Sequence, residues 1–324
     1  MTATLPATSL PLTTALDDLA LTQAIGNTPL LRLHGLERRH DVAGNVELWL
    51  KAEWANPGGS VKDRPALAIV RDALARGELG GGQTLLDGTS GNMGISYALL
   101  GAALGFPVEL VLPFNASEER RQLLTALGAT FTLSDEALGA DGVLALVHEL
   151  HDANPGRYYF AEQSANPANP RAHYETTGPE IWRQTDGRLT HFVCGLGTTG
   201  TMMGAGRFFR EQSPAIELVA AEAATYPHDI PGVKHMGSGP IPDIYDAALI
   251  DRHILIESAE AATATRSLAT VEGLLAGTST GAAVAAAVQV AREVAGPAVI
   301  VLIAPDNAGK YLSTNVWAAT GDAA

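Results

Sequence analysis

The 324-residue sequence holds a single cysteine, Cys194. One thiol excludes an intramolecular disulfide and any zinc site built from cysteine pairs. It ends the apolar run His-Phe-Val-Cys and reads as a buried packing residue rather than a nucleophile. Charge is also sparse, at 17% of residues, and positive charge sparser still. The 21 Lys and Arg stand against 35 Asp and Glu, a formal net charge of −14. No basic tract accompanies this, which argues against nucleic acid and anionic membrane surfaces as partners; an anionic ligand must be met by local donors. No apolar stretch reaches the roughly 18–20 residues that span a bilayer. The first twenty residues lack the positive start and continuous apolar core of a signal peptide, and read as a loose start to a soluble, cytoplasmic chain. Aromatics make up only 6%.

What the chain has instead is small residues and a repeating order. Hydrophobic residues reach 46% and there are 34 glycines, enough for a large core with tight turns. Short β-branched runs lead through Gly/Ser/Thr turns into Ala/Leu-rich segments. Examples are VELWLKAEW; TLLDGTSGNMG into ISYALLGAAL; PVELVLPF into SEERRQLLTAL; THFVCGLGTTGT into MMGAGRFFREQ; IELVAAEA; GLLAGTSTG into AAVAAAVQVAREV; and AVIVLIAPD. Strands alternating with helices predict an α/β fold with mostly parallel sheets, whose ligands sit beyond the carboxyl ends of the strands. The Gly-rich turns fall at that position. The stretch DANPGRYYFAEQSANPANPR is the best candidate crossover between domains.

The turn Gly195-Leu-Gly-Thr-Thr-Gly-Thr201 follows one strand and opens a helix, a place where backbone N–H groups meet anions. Gly195, Gly197 and Gly200 spell G-x-G-x-x-G, with Glu222 about twenty residues on, so a nicotinamide-dependent dehydrogenase has to be weighed. The hydroxyls of Thr198, Thr199 and Thr201 favour a terminal phosphate monoester, and the motif lies past mid-chain rather than in the first βαβ unit. Lys62 follows a Gly-Gly turn in NPGGSVKDRP. A lysine near a helix start is usually a solvated charge; desolvated at a strand-to-helix junction, it becomes suited to Schiff-base chemistry. The turn Thr89-Ser90-Gly91-Asn92-Met93-Gly94 offers hydroxyls, an amide and N–H groups for a carboxylate, although it also reads as a helix cap. The turn Gly277-Thr-Ser-Thr-Gly281 is equally ambiguous. No metal is expected; His173 has no partner ligand at i+4 and reads as local packing.

Taken in order, IGNTPLLRL, NPGGSVKDRPA, TSGNMG, NPANPRAHYETTGPEIW, GLGTTGT, EGLLAGTSTGAA and KYLST resemble the O-acetylserine sulfhydrylase (cysteine synthase) family of fold-type II pyridoxal-phosphate (PLP) enzymes. GPEIW, THFV and IPGVKHM look closer to its B branch. The resemblance implies a tryptophan-synthase-β-like fold of two three-layer αβα domains with the cofactor between them. Residues 53–163 would form the smaller domain, and 1–52 with 164–324 the larger. It implies that Lys62 carries the cofactor and moves the Cα proton, and that Asn92 bonds the 3′-oxygen. Gly197, Thr198, Thr199, Gly200 and Thr201 would cradle the phosphate, and Ser279 would face the pyridine nitrogen. Thr89, Ser90, Gly91, Met93 and Gln163 would serve the substrate carboxylate.

The activity implied is β-replacement: L-cysteine made from O-acetylserine or O-phosphoserine and a sulfur nucleophile, sulfide or thiosulfate, through an α-aminoacrylate. A serine at the ring nitrogen does not hold it protonated, which favours elimination over transamination. A homodimer is expected by the same resemblance, which assigns no serine acetyltransferase or sulfur-carrier partner. Met93 departs from the threonine usual at its position and removes a side-chain donor. Lys234, in IPGVKHM, is a candidate contact for an anionic sulfur donor or leaving group. An O-phosphoserine-specific sulfhydrylase, a cystathionine β-synthase and a non-catalytic member of the fold remain the alternatives.

Overall fold

The computed structural model describes residues 16–89, 91–135, 139–238 and 240–317. Of the residues singled out above, Ser90 lies outside these. Ten strands appear in chain order: β1 (Leu30–Arg32), β2 (Val46–Ala52), β3 (Thr84–Gly88), β4 (Val108–Leu112), β5 (Thr130–Leu133), β6 (Tyr158–Phe160), β7 (His191–Gly195), β8 (Glu217–Ala223), β9 (Arg252–Ile256) and β10 (Ala298–Ala304). They form a six-stranded sheet in the order β1-β2-β10-β7-β8-β9 and a four-stranded sheet in the order β5-β4-β3-β6. Every pairing is parallel except β1 with β2.

Both sheets are covered on both faces, as parallel sheets require. On β7, Phe192 and Cys194 join one apolar cluster with Met202, Met203 and Phe209 of the helix Gly200–Gln212, while Val193 turns to the opposite one. That opposite face is packed by the helices Ser258–Ser267 and Thr278–Glu293. The smaller sheet divides in the same way. Leu85 faces the helices Asp63–Arg76 and Asn92–Leu104, and its neighbour Leu86 faces Val143 and Val147 of the helix Gly139–Ala153. β10, AVIVLIA, is buried along its whole length, and each fully buried Val, Leu or Ile contributes about 1.5–3 kcal/mol.

Two readings of the sequence need correction. The run Gly273–Gly277 is not a strand leading into the last long helix. Gly273 takes a left-handed φ of +70° after a wide helical turn, Leu275 is exposed, and only Ala276 bridges to Asn307. The loose start does not extend through the twentieth residue either. Leu16 is fully buried against the smaller sheet's core, and Thr22 Oγ1 donates to its carbonyl at 2.6 Å. The candidate crossover holds β6, the last strand of the smaller sheet. Among the described residues no helix is long and apolar enough to cross a membrane, and no cluster of His, Cys, Asp or Glu is arranged to hold a metal ion.

Candidate active site

Lys62 ends the Gly-Gly turn and immediately precedes the helix Asp63–Arg76. The turn is fastened from several sides. Val61 N–H donates to Pro305 O at 2.8 Å, Ser60 bridges Asp306, and Gly58 N–H donates to the Asp63 carboxylate. The Lys62 ammonium in turn donates to Thr198 Oγ1 at 3.1 Å, which brings the lysine of one motif against the threonines of another. Burial pulls its pKa from 10.5 down to about 8, against a weaker opposing pull from Cys194 and Asp87. A lysine with that pKa is about one-tenth neutral at pH 7, and the neutral amine is the form that attacks a carbonyl. Cys194 is buried and burial pushes its thiol up to about 12, so it packs rather than reacts. Asp87, at the end of β3, is raised to about 7 by the same cause.

The loop from β7 into the helix Gly200–Gln212 admits no side chain at its glycines. A Cβ on Gly197 would stand 2.5 Å from Gly232 O, and one on Gly200 would stand 1.9 Å from Asn169 Oδ1. Thr199 adopts a left-handed φ of +69°, a conformation that costs a β-branched residue about 1–3 kcal/mol. Its hydroxyl is buried and makes no hydrogen bond among the described residues. A strained backbone, an unsatisfied hydroxyl and a helix N-terminus at one point fit an anion with several oxygens, such as a phosphate monoester. Thr201 Oγ1 lies 3.3 Å from His173 Nε2, and His173 Nδ1 lies 2.9 Å from Thr177 Oγ1. Burial, with Arg64 adding to it, lowers His173 to about 3. It is a neutral support beneath the cradle, in keeping with the packing role read from the sequence.

Asn169 links this cradle to the smaller sheet, its Nδ2 donating to Thr198 Oγ1 at 3.2 Å and to Gln163 O at 2.7 Å. Gln163 Nε2 donates to Gly88 O at 3.0 Å, at the end of the strand that leads to Thr89. Thr89 Oγ1 accepts from Gly91 N–H at 3.0 Å. Asn92 opens the helix Asn92–Leu104; its Nδ2 donates to Asp306 Oδ2 at 2.7 Å and its Oδ1 accepts from Lys310 Nζ at 2.9 Å. Ser279 is buried in the first turn of the helix Thr278–Glu293, two residues beyond Gly277, whose N–H donates to Asp306 O at 3.1 Å. Two of the expected residues stand apart from this group. Met93 is 1% exposed and packs in the core of the smaller sheet, and Lys234 Nζ donates to Pro240 O at 3.1 Å. The Lys234 segment does run beside the cradle, because Lys234 N–H donates to Leu196 O.

A buried charge cluster lies behind Lys62. The Arg64 guanidinium meets Glu53 at 2.7 and 2.8 Å and Glu180 at 2.7 and 2.8 Å, and Lys51 Nζ donates to Glu180 at 2.8 Å. Burial pushes the Glu180 carboxyl up, but Arg64 and Lys51 outweigh it and hold it at about 2. The cluster ties the larger sheet at Lys51 to the helix that Lys62 precedes. The roles of Arg64, Glu180, Asn169, Asp306 and Lys310 were not read from the sequence. All five stand inside the quoted strings, but their partners lie up to 252 positions away, and no local spacing announces them.

Residues 21–306 match the family described as pyridoxal-phosphate dependent enzyme. The chain is 46% identical to a cysteine synthase of Aquifex aeolicus over 296 residues, covering 90% of each, and 44% identical to cysteine synthase B of Escherichia coli, covering 92% of this chain and 95% of that one. The structure of O-acetyl serine sulfhydrylase isoform 3 from Entamoeba histolytica superposes with a TM-score of 0.88 at 33% identity, covering 100% of this chain and 96% of that one. The chain belongs to the pyridoxal-phosphate-dependent enzymes, within their cysteine synthase branch.

Proposed function

We propose that this enzyme makes L-cysteine by exchanging the β-substituent of O-acetylserine for sulfur, with its cofactor carried on Lys62. The observation that carries the reading is the 3.1 Å contact between the depressed Lys62 ammonium and Thr198 of the cradle. It joins an amine suited to a carbonyl with a loop suited to a phosphate. PLP presents both groups on one small ring and, when bound, supplies the electron sink for carbanion chemistry at Cα.

Gly197 to Thr201 would hold the phosphate through backbone N–H groups and threonine hydroxyls. Asn92 would donate to the ring oxygen, and the neutral hydroxyl of Ser279 would face the ring nitrogen. Thr89, Ser90, Gly91 and Gln163 would orient the amino-acid carboxylate, Met93 contributing backbone and bulk only, so that the Cα–H bond points at Lys62. Lys62, once released, is the general base for that proton; a pKa near 8 leaves it able to accept and return it near neutral pH. Lys234 would assist an anionic sulfur donor. The same reading takes residues 53–163 as the smaller domain, closing on the larger one, in a cytoplasmic homodimer.

The test is chemical. Borohydride reduction of the enzyme with PLP should fix the cofactor on the peptide bearing Lys62, and the wild type should release cysteine from O-acetylserine and sulfide. Label on another lysine, or cysteine synthesis retained by Lys62→Ala, would overturn the assignment. Comparing O-acetylserine with O-phosphoserine settles the leaving group. Comparing thiosulfate with sulfide on Lys234→Ala tests that residue, and equal losses for both would sink its role.

A further inference from the structure

The segment that follows β10 touches more parts of the site than any single motif does. Pro305 O accepts from Val61, Asp306 bridges Ser60 and accepts from Gly277 N–H, and Tyr311 OH donates to Asp306 Oδ2 at 2.6 Å. Lys310 lies at its centre, 5% exposed. Its ammonium has three donors and three acceptors: Gly58 O at 2.9 Å, Gly59 O at 3.2 Å and Asn92 Oδ1 at 2.9 Å. Burial lowers its pKa, while Asp306 and Asp63 favour the charged form.

This arrangement decides which way the Asn92 amide points. An ammonium only donates, so the Asn92 atom against Lys310 is the oxygen. A carboxylate only accepts, so the atom against Asp306 is the NH2 group. One N–H of that group is used on Asp306, and the other meets no acceptor among the described residues. We propose that Lys310 is a positioning residue: anchored on Gly58 O and Gly59 O, it fixes the Asn92 amide so that the remaining N–H is held ready for the cofactor's ring oxygen. The proposal rests on the reading of Asn92 given above. An amide without this clamp rotates between two orientations, and one of them turns a carbonyl oxygen toward an oxygen of the ligand. Asp306 acts in the same clamp from the other side.

The experiment is a double-mutant cycle on PLP affinity, read by titrating cofactor-stripped protein and following tryptophan fluorescence, with thermal unfolding recorded alongside. Asn92→Ala should raise the dissociation constant about tenfold, and Lys310→Met by nearly as much. The double variant should bind no worse than about threefold below Asn92→Ala alone, because the clamp has nothing left to position. Losses that multiply in the double variant, or unchanged affinity in Lys310→Met, would overturn the proposal while leaving the Asn92 reading intact. Unchanged affinity in Asn92→Ala would remove that reading and the proposal together. Lys310→Gln runs the same cycle should the methionine variant not fold. If neither Lys310 variant folds while Asn92→Ala does, Lys310 is a folding residue and the proposal falls.

Discussion

Lys62→Met should make the cofactor-free protein more stable, because the wild type holds a charged amine where folding removes its water. The size of the effect follows from its pKa, which falls from 10.5 to about 8 on folding. At about 1.36 kcal/mol per pH unit this is about 3 kcal/mol against the folded state at pH 7. The sign follows from proton binding. Between about 8 and 10.5 the unfolded chain keeps the Lys62 proton and the native protein has released it, so the penalty is complete below about 8 and disappears as pH rises through 10.5. The stability gained by Lys62→Met should therefore be largest at neutral pH and fall to less than half by about pH 9.5. Urea unfolding of both proteins, stripped of PLP, across that range measures it, and taking the difference between them cancels every other titrating group. A methionine variant no more stable than wild type at pH 7, or a gain that does not change with pH, would refute the argument that Lys62 is desolvated. Its stability would rise while its activity disappears, as expected for a group kept under strain for chemistry.

Three further outcomes follow from the geometry. Gly200→Ala drives a methyl to 1.9 Å from Asn169 Oδ1, so it should cost about 1–3 kcal/mol in unfolding free energy and weaken PLP binding in calorimetry. Glu180→Ala leaves Arg64 and Lys51 facing each other in the interior and should destabilise by about 3–5 kcal/mol in urea unfolding. In the wild type, the unfolded chain protonates Glu180 near 4.5 but the native protein only at about 2, so its contribution should be lost progressively as pH falls between those values. The unfolded chain protonates His173 near 6.5 but the native protein only at about 3, so stability should decline as pH falls between those values, by up to about 5 kcal/mol. His173→Asn should flatten the acid side of the thermal-unfolding profile.

Reading the sequence recovered the alternation of strands and helices, because β-branched runs and glycine turns report their own conformation locally. The Gly197–Thr201 turn stood out by its residue types, whereas Lys62 stood out only beside the other motifs, since a lysine near a helix start ordinarily reads as a solvated charge. It did not recover the short strands β1, β5, β6 and β9. β9, RHILI, alternates exposed and buried residues at the rim of the larger sheet and carries too little apolar pattern to stand out. Nor did it recover the company kept by Asn92. Asp306 and Lys310 are an ordinary acid and an ordinary base in the chain, and only the turn after β10 carries them across the molecule to the start of the Asn92 helix. The sequence did not announce that the Met93 side chain is buried in the smaller sheet's core, because an N-terminal helical turn sends neighbouring side chains in different directions.

The place of β10 has a consequence for synthesis. It lies between β2 and β7, with Ala298 opposite Val46, so the larger sheet remains split into two open edges until Ala304 has left the ribosome. The smaller sheet has all its strands once Phe160 is made and can fold first, as early-made units do. The half-built sheet must wait with its unpaired edges shielded from neighbours, the stage at which such chains aggregate. Asp306 and Lys310 emerge after β10, so Asn92 gains its partners last. A chain that ends before them has neither the Asp306 carboxylate nor the Lys310 ammonium to meet the Asn92 amide.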